Sequence, residues 1–330
     1  MNIPIEVLNI ADDIKYMRIR GAGKIARSAA EALKIAALKY SGPPDPELFK
    51  KYILKTAELL ISTRPTAVSL PNAVLYVITS LSKSSNDFSE LRNSVVENAN
   101  RFIENSLKAI EKISEYGAKR IIEDSVVLTH CHSTAAVSII IRAYEMGKIR
   151  KVYSTETRPL FQGRITAKQL LEKNIPVIQI PDSAVRYIMH DVDQVIIGAD
   201  TIASNGAVVN KIGTSQIALV AHESRVRVFV ASETYKFSPT TLFGELVSIE
   251  YRNPDEIIPI ELINKLRNVK VLNPVFDVTP PEYIDAIITE VGVIPPQATI
   301  VLLTELLGWA LDKVKLGRLD KLLYEELVEE

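Results

Sequence analysis

The single cysteine of this chain, Cys131, sits between two histidines in the run Ser125-Val126-Val127-Leu128-Thr129-His130-Cys131-His132-Ser133-Thr134. The run is apolar up to a short polar turn, and a helix-like segment follows. A strand that enters a helix through such a turn presents its last residues, and the helix's first free N–H groups, at the carboxyl edge of a sheet. Open α/β proteins bind ligands at that edge. A thiol there gains acidity from the helix N-terminus and from any neighbouring cation, which makes it a proton-transfer group or a nucleophile near neutral pH. A lone intracellular cysteine is more often an inert small hydrophobe, so Cys131 needs a chemical partner.

Asp200 is the first candidate partner. It ends the apolar run 195–199 and by parallel-sheet logic emerges on the same edge as Cys131, although an N-cap or loop role would serve as well. Ser204-Asn205-Gly206 reads as a tight turn, after which Val208 to Thr214 delivers Asn210, Lys211 and a glycine-led helix start. Lys236, after the run 226–230, reaches the same edge or is a solvated loop lysine. At the amino end Arg20-Gly21-Ala22-Gly23 precedes a helix, where free amides and a guanidinium suit a phosphate. It lacks the third glycine and preceding strand of a dinucleotide fingerprint. Arg64 is a second phosphate clamp or an exposed structural arginine, and Arg158 and Arg164 line the crevice or brace a subunit contact.

Some chemistries are disfavoured. Alternation in an extended segment turns His130 and His132 away from Cys131, so a Cys–His nucleophile pair is not implied and no protease triad is recognisable. The four histidines, His130, His132, His190 and His222, have none of the usual metal-ligand spacings, and we expect no metal site.

The elements that must position these groups follow from periodicity. The first 120 residues read as helices, at 24–40, 45–63, 72–82 and 88–116, with apolar residues three and four apart. From 122 onward short β-branched runs at 126–128, 151–154, 177–180, 194–197, 226–230 and 286–288 alternate with helical stretches at 134–146, 167–173, 183–190, 215–224 and from 298. That grammar predicts an α/β chain: a helical domain at 1–120, then a doubly wound parallel sheet at 121–330. The acidic end at 325–330 reads as a solvated tail.

Composition bounds the rest. The 330 residues exceed what one core usually holds, about 250 to 300. With 39 basic and 40 acidic residues the formal charge is −1, so no global field holds nucleic acid or an anionic membrane. One cysteine excludes an intramolecular disulfide, no signal-peptide order opens the chain, and no run of about 18 uncharged apolar residues occurs. The expectation is a cytoplasmic protein.

Taken together, the motifs RGAG (20–23), TRPTAVSLPNA (63–73), THCHS (129–133), TETRP (155–159), GAD (198–200), NGAVVNKIGT (205–214) and ETYKF (233–237) resemble the archaeal ribose 1,5-bisphosphate isomerases. FDVTPPEYID and GVIPP extend the likeness toward the carboxyl end. The wider superfamily includes methylthioribose 1-phosphate isomerases and the regulatory subunits of translation initiation factor 2B. The resemblance implies a helical amino-terminal domain packed on a Rossmann-like domain that assembles into dimers or larger homo-oligomers, up to a hexamer. It also implies roles: Cys131 as proton acceptor and Asp200 as proton donor. Arg20, Gly21, Ala22, Gly23, Arg64, Ser133, Thr134, Ala135, Asn210, Lys211 and Lys236 would hold the sugar bisphosphate.

The isomerases carry the cysteine and aspartate that the regulatory subunits lack. Arg-Gly-Ala-Gly here replaces the Arg-Gly-Ala-Pro of the methylthioribose enzymes. One departure is His132, where the resemblance leads us to expect asparagine. The implied setting is nucleoside-phosphate breakdown, with no metal or redox cofactor; whether AMP or another nucleotide is an activator is left open by the sequence. The alternative is a non-catalytic subunit of the initiation factor 2B type that senses a sugar phosphate or nucleotide.

Overall fold

The structure, a computed structural model, describes residues 2–64, 67–82, 87–265 and 269–306; the acidic end at 325–330 lies outside them. The chain forms two compact units. One comprises Met1–Ala109, Tyr235–Phe243 and the described residues from Val301. The other comprises Ile110–Thr234 and Gly244–Ile300. Tyr235–Phe243 thus groups with the amino-terminal helices, which a single boundary after residue 120 does not anticipate.

The first unit is helical: α1 (Ile5–Lys15), α2 (Ala22–Leu38), α3 (Pro46–Ser62), α4 (Ser69–Ile78) and α5 (Phe88–Ala118), within which the chain passes to the second unit. Asp45 caps α3 by accepting from the Leu48 amide at 2.8 Å, and Pro46 occupies its first position. Ala26, Ala29, Ala30, Leu33, Ala36 and Ala37 form one fully buried stripe along α2. The small alanines of that stripe let α4 pack closely on α2. Helix α1 was not expected. Its buried Val7, Ala11 and Ile14, at i, i+4 and i+7, are nevertheless a regular helical face.

The second unit contains β1 (Ser125–Thr129), α6 (Thr134–Glu145), β2 (Ile149–Thr155), α7 (Gln162–Leu171), β3 (Val177–Ile180), the single turn α8 (Val185–Ile188) and β4 (Gln194–Gly198). Next come β5 (Thr201–Ile202), β6 (Val208–Lys211), α9 (Thr214–Glu223), β7 (Arg227–Ala231), α10 (Ile260–Lys265), β8 (Phe276–Thr279), β9 (Ala286–Thr289) and β10 (Gly292–Ile294), and α11 (Thr299–Leu306) follows. The main sheet has the order β10-β9-β7-β4-β1-β2-β3. All its neighbours are parallel except β9 and β10. Strands β1 and β4 are buried along their whole length, which is why they read as continuous apolar runs. The chain leaves β1 toward β2 and β3, then returns on the other side through β4, β7 and β9. The order therefore reverses between β1 and β4, the switch point of a doubly wound α/β fold.

Three local readings need correction. The helix expected at 167–173 begins at Gln162. The helix expected at 183–190 is one α-turn between two 3-10 turns. A small antiparallel sheet, β5-β6-β8, was not expected, because two-residue β5 is too short to show a period. Among the described residues no helix is long and apolar enough to cross a membrane.

Candidate active site

Cys131 lies two residues past β1 with φ +64°, in the left-handed region that costs a residue bearing a Cβ about 1 kcal/mol or more. Side chains hold both of its backbone groups. Its N–H donates to Thr157 Oγ1 at 2.9 Å, and its carbonyl accepts from Thr166 Oγ1 at 2.7 Å. Because the Thr166 hydroxyl spends its proton on that carbonyl, His132 Nδ1–H donates to Thr166 Oγ1 at 3.0 Å. His132 thus steadies the cysteine turn through Thr166.

His130 is buried, and burial pushes its pKa down to about 4 despite the pull of Asp182. It is therefore neutral, and its hydrogens can be assigned. Nε2–H donates to the Ile212 carbonyl at 2.9 Å, which leaves Nδ1 to accept from Thr155 Oγ1 at 2.6 Å. The Thr157 hydroxyl, 3.3 Å from Thr155 Oγ1, then donates to it. A directed chain results, from Cys131 N–H through Thr157 and Thr155 to His130, and from His130 to Ile212. Asp182 anchors it by accepting the Thr157 and Arg158 amides at 2.8 and 2.7 Å.

Asp200 stands two residues past β4 and is half-buried. Val127 and Leu128 of β1 pair with Gln194 and Val195 of β4, so the two strands deliver Cys131 and Asp200 at one edge. Gly198 permits the close approach there: a Cβ would lie 2.4 Å from Ser133 Oγ. Ser133 in turn caps α6 through the Ala136 amide at 3.3 Å; Thr134 is exposed and Ala135 buried. Ser204-Asn205-Gly206 is the expected turn, linking β5 to β6. Strand β6 carries buried Asn210 and Lys211. Asn210 Nδ2 donates to Thr214 Oγ1 at 2.9 Å, and the Lys211 ammonium is 5.0 Å from the Phe276 ring centre. Burial lowers the Lys211 pKa, against the raising pull of Cys131 and Asp200.

One electrostatic expectation is overturned. Burial pushes the Cys131 thiol up to about 11; Lys211 draws it down, while Asp200 opposes Lys211. The helix start and cations do not make this an acidic thiol, because desolvation of the thiolate outweighs them.

Of the remaining candidates, Arg20 to Gly23, Arg64 and Lys236 belong to the first unit, and Arg158 and Arg164 to the second. Arg20 is exposed and donates to the Met17 carbonyl at 2.7 Å. Gly21 opens α2 at φ +88°, a conformation that favours glycine, with Ala22 and Gly23 beginning the helix. Arg64 is half-buried in the loop after α3. Lys236 is buried in a 3-10 turn whose flanking carbonyls, at Tyr235 and Phe237, accept from Asn72 Nδ2 at 2.9 and 3.0 Å. Tyr235 OH bonds Ser106 Oγ at 3.0 Å. Arg158 and Arg164 stack on Phe161, and Arg164 pairs with Glu156 at 3.6 Å. Their contacts are thus local ones.

Sequence reading missed Asn72, Thr157 and Thr166 as positioning groups and set His130 aside. Thr157 and Asn72 lie in motifs already singled out, but their neighbouring arginines drew the attention. Among the described residues no cluster of three His, Cys, Asp or Glu side chains is placed to hold a metal ion.

The sequence profile of the initiation factor 2 subunit family matches residues 18–296. The chain is 54% identical over 309 residues to the ribose 1,5-bisphosphate isomerase of Pyrococcus furiosus, covering 92% of this chain and 95% of that protein. It is also 54% identical over 315 residues to the enzyme of the same name from Thermococcus kodakarensis, covering 94% and 98%. Among solved structures, the translation initiation factor eIF-2B of Pyrococcus horikoshii superposes with a TM-score of 0.76 at 31% identity, covering 90% of this chain and 99% of that one. The reversal of strand order, the residues gathered there and these likenesses agree: the chain belongs to the initiation factor 2 subunit family.

Proposed function

We propose that this chain isomerises ribose 1,5-bisphosphate to ribulose 1,5-bisphosphate, with Cys131 as base and Asp200 as acid. The observation that carries the reading is the delivery of a thiol and a carboxyl group from adjacent parallel strands, with Lys211 acting electrostatically on both. The two relatives at 54% identity support the substrate.

The proton movements balance without a redox partner. The thiolate takes the C2 proton, and the C2–H electron pair forms a C1=C2 double bond. The bond from C1 to the ring oxygen breaks, and that oxygen takes the Asp200 proton. Return of the thiol proton to C1, and of the enol hydroxyl proton to the Asp200 carboxylate, yields the ketose and restores both groups.

The active form is thiolate with protonated Asp200. It has the same total charge as thiol with carboxylate, so one coupled proton decides between them. Protonating Asp200 also removes its upward push on the thiol. Arg20, the backbone of Gly21 to Gly23, Arg64 and Lys236 supply phosphate donors. Ser133, Thr134, Ala135, Asn210 and Lys211 complete binding of the hydroxyls and phosphates. The setting is a cytoplasmic homo-oligomer built from dimers, degrading nucleoside phosphates.

A second reading is a regulatory subunit, favoured by the eIF-2B name of the superposing Pyrococcus horikoshii structure. Purified protein is to be incubated with ribose 1,5-bisphosphate and, separately, methylthioribose 1-phosphate, with carbon NMR following the new ketone. A ketone from the bisphosphate alone is expected. Binding without conversion would favour the regulatory reading.

A further inference from the structure

Asp277, on β8, is a half-buried carboxylate to which the proposed reaction gives no part. Its Oδ2 accepts the Gly213 amide at 2.7 Å and its Oδ1 the Ser215 amide at 3.1 Å. These amides open α9, whose N-cap position is Gly213 and has no side chain of its own to satisfy them. A residue from another strand therefore caps this helix.

The same strand grips the residues just before the helix. Asn210 pairs with Asp277 and Lys211 with Phe276 across β6 and β8, and the Ile212 amide donates to the Val275 carbonyl at 2.9 Å. Within the turn, Thr214 Oγ1 donates to the Lys211 carbonyl at 2.6 Å and accepts from Asn210. His130 closes the far side through the Ile212 carbonyl. The bonds at Lys211 and Ile212 thus lead to β8, to Thr214 and to the cysteine turn.

We infer that Asp277 is a positioning residue: its carboxylate fixes the turn from Lys211 to Ser215 and so holds the Lys211 ammonium where it acts on the Cys131 thiol. Two physical points support this. Burial pushes Asp277 up to about 6, so at neutral pH its ionised form is kept against a desolvation penalty. Asparagine would avoid that charge, yet it would turn an N–H toward one of two backbone donors, and only a carboxylate accepts from both. The charged or titratable groups around the turn are Lys211 on β6, neutral His130 after β1, and Cys131, Asp200, Arg252 and Glu250, which act on Lys211.

The inference takes the importance of Cys131 from the proposed function, but its test needs no turnover. Cys131 is the only thiol, so its alkylation by iodoacetamide can be followed against pH in the intact protein. Lys211→Met removes the cation and is expected to raise the thiol pKa, slowing alkylation at fixed pH. Asp277→Asn is expected to slow it in the same direction, several-fold, and the double variant to be no slower than Lys211→Met. Simple loss of a negative charge acts oppositely, lowering the thiol pKa and speeding alkylation. An unchanged or faster rate in folded Asp277→Asn would overturn the inference.

If circular dichroism shows that Asp277→Asn does not fold, Thr214→Val, which releases the Lys211 carbonyl, is expected to give the same slowing. An unchanged rate there would overturn the inference equally. Absence of turnover in the unmodified protein would remove the isomerase reading while leaving these thiol measurements interpretable.

Discussion

Cys131 and Asp200 each stand two residues beyond the carboxyl end of neighbouring parallel strands, at the point where the strand order of the sheet reverses. They are far apart in sequence, with α6, β2, α7, β3, α8 and β4 between them. The parallel register brings them to one edge. For a proton-transfer pair this matters because the two groups can share one proton and exchange roles.

The proposed pair sets a pH profile. With Asp200 protonated and Cys131 ionised as the working form, the working fraction is constant while the pair holds one proton and falls when the second is lost. The thiol, pushed up to about 11 by burial, defines that loss. We therefore expect kcat/KM to stay level through pH 8 and 9 and to decline on an alkaline limb near 11. A limb near 8, the range of an ordinary thiol, would contradict the buried-thiol account.

Thr157→Val removes the acceptor of the Cys131 amide and leaves that N–H unsatisfied. A loss of about 1 to 3 kcal/mol of stability is expected, read by denaturant titration, with kcat falling by a larger factor than the Tm shift suggests. Thr157→Ser, which keeps the hydroxyl, is expected to restore both. Equal losses in the valine and serine variants would assign the effect to packing.

His130 links pH to stability with a definite sign. Its folded pKa, about 4, lies below the unfolded value near 6.5, so the stability it contributes is present above pH 6.5 and lost as pH falls toward 4. The full effect is about 3 kcal/mol. Asp277, raised to about 6, acts oppositely in part of that window, so the informative quantity is the difference between the natural chain and His130→Gln. That difference is expected to shrink on acidification from pH 7 to pH 4.5. A difference independent of pH would show that His130 is not held neutral.

Asn72→Ala deletes both donors to the carbonyls flanking Lys236. Loss of about 1 to 3 kcal/mol is expected from two buried acceptors left open. If Lys236 binds a phosphate, KM for the bisphosphate should rise with a smaller change in kcat. A pure kcat effect would detach Asn72 from binding.

Much of this is legible in the sequence. Apolar runs at β1 and β4 marked central parallel strands because both faces of each are buried, and the polar turns after them marked the reacting edge. The α1 helix and the small sheet were missed. Helix α1 has a regular buried face that the reading passed over, β5 is only two residues long, and β8 pairs with β6 across a long stretch of sequence. The acidity of Cys131 was misjudged for a related reason: a helix start and a lysine can be seen in sequence, whereas the depth of burial that outweighs them cannot. His132 likewise took its meaning only from Thr166, 34 residues away.

The central claim is that Cys131 and Asp200 form one acid–base pair for the bisphosphate, and the most direct measurement is turnover of ribose 1,5-bisphosphate by the natural chain, Cys131→Ser and Asp200→Asn, followed by carbon NMR. The account predicts ribulose 1,5-bisphosphate from the natural chain and a loss of about a hundredfold or more in each variant, with circular dichroism and oligomeric state unchanged. Undiminished turnover in either folded variant would contradict it.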